Sequence, residues 1–563
     1  MDDKALQMGK SSTAGSFFLL IGIVGSTVVM ALGTLLLAGM LSDAELGLYG
    51  IVLIPATTIA FFRDLGVNSA MTQRIANLRA ANKNNEIHDV MLSGIIFEII
   101  SGIILSLACF AIATPLAVAL NRPDASSLIA LMSISIFASA IISASSSIFV
   151  GFEKMKLNSF VQILQSIIKT LLGPLLVFLG FSVLGAVLGA IVSVAVGGLT
   201  GILLVYFVLF RPLRKTKVDK LNVKRTLTPM LKYGIPLTLS NVVVGVLPQV
   251  FAFFVAMYAS DSIMGNYYAA TYFSVIVTFI SFPISTALFP AFSKLNPESE
   301  PDLVKTVFAS SVKYTAIFLV PTTMLLITLA TPLVNTLFPK DGILQALFVA
   351  GSEPKFPYAP LFLAASSIVN LFVLFGNVSL ATFQTGIGKT KQIMYQSLLS
   401  LVISLPAAIL IITYLGSIAP VMGEWVVVIG GIAAVMISTI PGMVWGLIWL
   451  WKNYHVKADF KNSGKIFAAS LTASVAAYAF LAVFNAPYWI LLAAGALIFL
   501  FVYLVSAPLI GAVNRIDIEN LKIMTSGLGV ISKILDIPLL FMRRICKEPP
   551  PKEMFAGNIE HSN

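Results

Sequence analysis

Residues 211–232 read RPLRKTKVDKLNVKRTLTPMLK, and long, almost unbroken apolar sequence lies on either side. The stretch carries eight Lys/Arg against one acid, Asp219. A run of this kind does not enter a bilayer and is too short to fold alone, so it reads as a cytoplasmic loop between two membrane-embedded halves. The halves echo each other. SDAELGLY at 42–49 returns as SDSIMGNY at 260–267, with four identities at a fixed offset of 218, and each octet joins the first two apolar spans of its half. The shared position points to an internal duplication hinged on the basic loop.

Composition sets the class. Of 563 residues, 58% are hydrophobic and 11% charged, where soluble domains average roughly 25% charged; mean hydropathy is +0.94. This is the composition of a polytopic membrane protein. A spanning helix needs about 20 apolar residues. Such stretches lie near 15–41, 46–66, 90–113, 127–150, 157–180 and 184–210 before the basic loop. After it they lie near 233–258, 266–290, 310–333, 359–384, 393–415, 425–450, 466–485 and 489–510. The expected fold is therefore an all-α integral membrane protein of about 14 transmembrane helices. The first span is too long for a signal-peptide core and stays as a helix.

With the N-terminus inside, 32 of the 36 Lys/Arg face the cytoplasm, 3 (Arg122, Lys340, Lys355) face outward, and Lys169 lies within a span. That asymmetry places both termini in the cytoplasm and explains the net charge of +11 as a topology signal, with no nucleic-acid partner. Six spans per half is an even number, so the halves enter the membrane in the same sense. A pseudo-two-fold axis along the membrane normal and a cavity between two lobes follow. The expected organisation is a six-helix lobe over 1–210, the basic linker 211–232, a second six-helix lobe over 233–465, an extra helix pair over 466–510 and a tail over 511–563. In the tail, Ile516, Leu521, Met524, Ile531, Ile534 and Leu535 alternate with charges, and Arg543, Arg544 and Lys547 follow. It reads as helices lying on the cytoplasmic surface near anionic lipid.

Polar residues inside the spans form stripes. Ser135, Ser139, Ser143 and Ser147 share one helical face, and so do Gly185, Gly189, Ser193, Gly197 and Gly201. Small residues at every fourth position allow backbones to approach closely, and that reading is favoured over ligand contact. Asn370, Asn377 and Gln384 repeat every seven residues, where interhelical bonding and cavity lining are both open. Glu98 lies about 12 Å into the third span. Lys169 sits near the middle of the fifth, on one face with Gln162 and Gln165. Each charge costs on the order of 3 kcal/mol at a helix centre and requires a partner or water. Glu98 and Lys169 form either a structural pair or part of a transport cavity. Arg63 and Asp64 end the second span as an interfacial pair or as cavity residues, and Lys313 either snorkels or serves the cavity.

Gly386-Ile387-Gly388-Lys389-Thr390 imitates the end of a phosphate-binding loop, but position 383 is Phe and no soluble βα unit surrounds it, so an ATPase is not supported. His88, His455 and His561 fall in loops or tail, Cys109 and Cys546 in a span and the tail, and no metal or disulfide framework is expected.

AELGLYGIVLIPATTIAFFRDLGVNSAMTQRIA (44–76), YGIPLTLSNV (233–242), ISTALFPAFSKL (284–295) and QTGIGKTKQ (384–392) together resemble the polysaccharide-biosynthesis oligosaccharide flippases. Their larger group includes multidrug and toxic compound extrusion transporters and lipid II flippases. The resemblance covers spans one to twelve. It implies movement of a polyprenyl-(pyro)phosphate-linked oligosaccharide from the cytoplasmic to the outer leaflet by alternating access, in the plasma membrane. It also implies membrane lipids and pathway glycosyltransferases as partners. No cofactor is expected; an ion gradient or the membrane potential would drive the cycle. Cations that would meet phosphate are Lys169, Arg63, Arg74 and Lys313. Glu98 and Asp64 would couple or pair, and Gln162, Gln165, Asn241, Gln249, Asn370 and Asn377 would line the cavity. Relatives often carry an acid near position 249, where this chain has Gln249, which counts against acid-based coupling through that helix. The alternatives are a cation-coupled drug antiporter of the same fold, which would favour an acidic, aromatic cavity, and a membrane glycosyltransferase, whose acidic metal-binding motif is missing.

Overall fold

The computed structural model describes residues 22–546 except 82, 214–222, 294, 296, 298, 341–352, 457, 458 and 526–529. The middle of the basic loop that divides the sequence therefore lies outside the described residues. All named elements are helical, with one isolated bridge between Pro339 and Pro354.

The chain opens with α1 (Gly22–Met40), α2 (Asp43–Ala60), α3 (Val67–Ala80) and α4 (Asn84–Ala111). Next come α5 (Ala113–Ala119), α6 (Ser126–Met132), α7 (Ile134–Gly151), α8 (Met155–Leu176), α9 (Ser182–Leu204) and the single turn α10 (Arg211–Leu213). The second half supplies α11 (Val223–Tyr258), α12 (Asp261–Thr271), α13 (Ser274–Ser293), α14 (Pro301–Thr328) and α15 (Ala330–Leu337). It continues through α16 (Ala359–Ser367), α17 (Asn377–Gly386), α18 (Thr390–Met422) and α19 (Trp425–Tyr454). The chain ends with α20 (Phe460–Val483), α21 (Tyr488–Leu509), α22 (Arg515–Thr525) and α23 (Val530–Ile545).

Among the described residues, eleven helices are long and apolar enough to cross a membrane, or twelve if one bent pair counts as a span. The difference from fourteen has local causes. Met155–Phe210 counts once, yet Gly180 at φ 92 breaks it between α8 and α9. The apolar part of α11 is the shorter Gly245–Tyr258. The span expected over 359–384 bends by 56° at Gly376, whose φ of 82 favours a residue without a Cβ. This bend corrects the reading of Asn370, Asn377 and Gln384 as one continuous stripe: the helix that would have aligned them is interrupted. α11 also starts ten residues before the expected span, because Leu227, Met230 and Leu231 pack into a cluster with Val205 and Leu209.

The helices group into two compact units. The first contains residues 1–275, 356–362 and 390–442; the second contains 276–355, 363–389 and 443–563. In the first, α8 and α9 lie side by side along the expected small-residue seam. A Cβ on Gly185 would lie 2.9 Å from Leu176, and Gly189 meets the backbone of Gly173. The stripe is thus a packing surface, as small residues allow. In the second, α14, α20 and α21 share a core with the tail: Ile518, Leu521, Leu539 and Met542 are buried with Ala316, Val320, Ala473 and Phe499. Ile516, expected on the apolar face, is 40% exposed.

The echoed octets become helix starts with matching backbones. Ser42 (φ −64, ψ 168) precedes α2 and Ser260 (φ −66, ψ 164) precedes α12. Ser42 closes a capping box with Glu45, accepting from the Glu45 amide at 3.2 Å while its own amide donates to Glu45 Oε2 at 2.8 Å. Position 263 holds Ile in place of that Glu, and Ser260 N donates instead to Glu424 Oε2 at 2.7 Å. The two helices cross at their shared glycine. A Cβ on Gly47 would collide with Asp261 O, and one on Gly265 with Asp43 O. Ser262 donates to the Asp43 carboxylate across the same crossing.

Candidate functional site

A cavity of about 460 Å³ opens within the first unit, bordered by α1, the α2–α3 turn, α7 and α8. Much of its wall is polar: Asp64, Asn68, Ser143, Asn158, Gln162 and Gln165 all line it. Gln162 and Gln165 of α8 are neighbours in this wall. Asn158 extends their face by one turn toward the N-terminus of α8, so 158, 162, 165 and 169 form a single helical stripe. The spacing of that stripe is a feature of the sequence itself.

The turn after α2 builds the charged part of the site. Leu65 and Gly66 both have positive φ (46 and 76), a conformation unfavourable for the branched Leu65. Gly66 packs against the backbone of Gly234 on α11, where a Cβ would collide. This reversal leaves Arg63 buried, while Asp64 borders the cavity and accepts from the Asn68 amide at 2.8 Å, holding the first turn of α3.

Arg63 reaches across the bundle. Its Nη1 donates to Ser139 Oγ at 2.7 Å and its Nη2 to Ser143 Oγ at 2.9 Å. Its Nε lies 3.2 Å from Glu98 Oε2. Glu98 is fully buried, receives Asn68 Nδ2 at 2.9 Å, and lies against the Asp64 carboxyl. Of the two readings of Glu98 and Lys169, the mutual pair is corrected: the partner of Glu98 is Arg63. The reason is reach: a guanidinium on the α2–α3 turn sets its charge beside the carboxylate while its two terminal nitrogens bond the serines. The serine face of α7, read as packing, also receives this arginine.

Lys169 is half-buried and has no ion pair or hydrogen bond among the described residues. It lies one turn, about 6 Å by helical rise, beyond cavity-lining Gln165. Its neighbour Thr170 donates to Val29 O at 2.7 Å and fixes α8 to α1. Arg74 is half-buried on α3 and does not line the cavity. Lys313 lies in the second unit, 2.6 Å from Asp517 Oδ2, with both side chains largely buried. It is occupied by the tail, which corrects its reading as a cation free for substrate. Gln249 accepts from Thr57 Oγ1 at 3.2 Å, tying α11 to α2. The Asn241 side chain lies outside the described residues. Asn370 and Asn377 flank the bend at Gly376.

A second polar cluster sits by the α2–α12 crossing. Arg122, counted as an outward loop charge, is only 12% exposed. It pairs with Asp261 and donates to Ala256 O and Ala259 O, each at 2.6 Å. Those carbonyls end α11, so one guanidinium neutralises a helix C-terminus and grips the acid that opens the next helix. Asn121 Nδ2 adds a bond to Met257 O at 2.9 Å.

The family model described as polysaccharide biosynthesis protein matches residues 12–296, just over half of the chain. The chain belongs to this family. Its fold is shared with solved transporters. Lipid II flippase MurJ, in an inward closed conformation, matches with a TM-score of 0.66 at 17% identity, over 88% of this chain and 98% of that one. An inward-facing multidrug resistance transporter of the MATE family in the MOP superfamily gives 0.59 at 16% identity, over 78% and 98%. The eukaryotic MATE transporter AtDTX14 gives 0.54 at 15% identity, over 82% and 99%. Among curated proteins, none matches the sequence at a significant level. The family, the apolar helices and the fold shared with these structures make the chain a multi-pass membrane protein of the polysaccharide biosynthesis family.

Proposed function

We propose that this family member moves a polyprenyl-(pyro)phosphate-linked oligosaccharide from the cytoplasmic to the outer leaflet of the plasma membrane by alternating access. The observation that carries the reading is the polar cavity of the first unit, with Lys169 one turn beyond its wall and without a described partner. A glycan and its phosphate require hydrogen-bonding groups and a cation inside the bilayer, and serine, asparagine, glutamine and lysine supply them. Sidedness rests on the Lys/Arg asymmetry, which puts both termini in the cytoplasm. Driving force comes from an ion gradient or the membrane potential, and pathway glycosyltransferases deliver the substrate. The chain itself does no bond chemistry in this scheme. The α2–α12 crossing with its Arg122–Asp261 pair would close one face in one half of the cycle.

The second reading, a cation-coupled drug antiporter, draws on the Asp64 carboxyl in the cavity wall and the buried Glu98 carboxyl beside it. Reconstitution separates the two. A fluorescent lipid-linked oligosaccharide in proteoliposomes should become accessible at the opposite leaflet only with the intact protein. Drug efflux without glycolipid movement would reject the flippase reading.

A further inference from the structure

The second unit contains a groove of about 370 Å³ that the transport reading does not use. Phe318 and Leu325 of α14, Phe499 and Leu500 of α21, and Leu539 and Met542 of α23 form its walls. Two hydroxyls reach it, and both are already satisfied within the chain: Thr322 donates to Phe318 O at 2.8 Å and Tyr503 to Ile317 O at 3.0 Å. Nothing in the wall calls for a polar ligand. The volume falls in the range of small-ligand sites, roughly 300–1,000 Å³.

α22, which contributes Leu521 to the groove, is fixed in place. Lys313 holds Asp517 at 2.6 Å, and Asn520 Nδ2 donates to Tyr314 Oη at 2.8 Å. Asn514 and Asp517 exchange reciprocal bonds of 2.8 Å that cap α22. The groove also spans two environments. α14 and α21 are apolar enough to cross a membrane, whereas α22 carries Arg515, Asp517, Glu519 and Lys522. α23 exposes Ile537, Leu540 and Phe541 and ends in exposed Arg543 and Arg544. An apolar slot, an apolar exposed flank and two cations at one end match a molecule with a hydrocarbon chain and an anionic head.

We infer that the groove binds one acyl chain of an anionic phospholipid, with its phosphate on Arg544 and Arg543. Arginine suits that head group because its planar fork meets phosphate oxygens in pairs. Arg543 also contacts Glu519 at 3.4 Å on the surface, an exposed pair that gives way to a phosphate at little cost. A polyprenyl tail is the competing occupant, and the competition experiment below separates the two. The bound lipid would complete the packing of the tail against α14 and α21 and make that docking depend on membrane charge.

The test uses the full-length protein in phosphatidylcholine nanodiscs with a trace of phosphatidylglycerol carrying a diazirine on its acyl chain. After irradiation, the label should map to peptides of α14, α21 and α23. Unlabelled phosphatidylglycerol should compete and phosphatidylcholine should not. Ala496→Phe, which fills the groove, should abolish this labelling. Arg543→Gln and Arg544→Gln should each weaken retention about fivefold. Should Ala496→Phe fail to fold, the arginine variants, altered only at exposed side chains, carry the test. Even labelling along the apolar belt, equal competition by phosphatidylcholine, or labelling unchanged in the arginine variants would overturn the assignment. Displacement of the label by a polyprenyl phosphate at equal concentration would overturn it in favour of the competing occupant.

Discussion

Gly47 of α2 and Gly265 of α12 stand 218 positions apart in the chain and occupy reciprocal places at one helix crossing, each leaving room only for the other helix's backbone. Any side chain at either point must push the helices apart. Gly47→Ala and Gly265→Ala should each cost about 1–3 kcal/mol, the usual penalty of overpacking. Thermal unfolding of the purified variants measures the loss. Unchanged stability in both would mean that the crossing is loosely held.

Glu98 and Arg63 form a buried pair, and removing one charge leaves the other uncompensated. Glu98→Gln should destabilise by about 3–5 kcal/mol, and Arg63→Met combined with Glu98→Gln should recover most of that. Lys169→Met combined with Glu98→Gln should recover none. Recovery with the lysine instead of the arginine would reverse the pairing seen between α4 and the α2–α3 turn.

Lys169 separates packing from substrate contact. Lys169→Ala should insert and fold normally but lose about tenfold or more in glycolipid movement, since a charge-assisted bond contributes roughly 1.5–3 kcal/mol. Lys169→Arg should retain part of the activity. Full transport by a well-expressed Lys169→Ala protein would remove the main support for the phosphate site.

Lys313 gives the opposite expectation. Lys313→Ala leaves Asp517 without its cation, so limited proteolysis should cut the segment after Gly511 faster than in the parent protein. Initial transport rates should change less than in Lys169→Ala. If transport falls as far while the tail stays protected, Lys313 contacts substrate after all.

Sidedness can be read by labelling a chain in which Cys109 and Cys546 are replaced. An impermeant maleimide added outside should modify a cysteine at 340 and leave one at 461 untouched. The reverse pattern would invert the topology inferred from Lys and Arg.

Much of this architecture was legible because hydrocarbon imposes a simple rule: apolar stretches of sufficient length become helices, and among the described residues the expected stretches fall mostly on helix. The octet echo was also informative, since those residues form the crossing itself. Partners across space were less legible. Nothing local distinguishes Arg63 from Lys169 as the counter-ion of Glu98; the choice depends on two positive-φ residues at Leu65 and Gly66 that aim the arginine inward. Regular spacing misled at Asn370 and Asn377 because one left-handed glycine between them redirects the helix. Arg122 looked like a loop charge, since its acceptors are backbone carbonyls that no sequence pattern marks.

The two helix starts differ in when they can be completed during synthesis. Ser42 finds its carboxylate three residues ahead, so α2 is capped as soon as that turn leaves the ribosome. Ser260 depends on Glu424, 164 residues downstream. Newly made chains that already contain α12 therefore hold it without its final amide partner until α18 and the turn after it have been inserted. Arrested chains ending at 410 and at 500, probed by protease at the start of α12, should differ in protection there. Equal protection would show that the helix start is secured without Glu424. Late completion of this joint makes the second half of the molecule the window in which insertion chaperones and quality-control proteases have access to an unfinished protein.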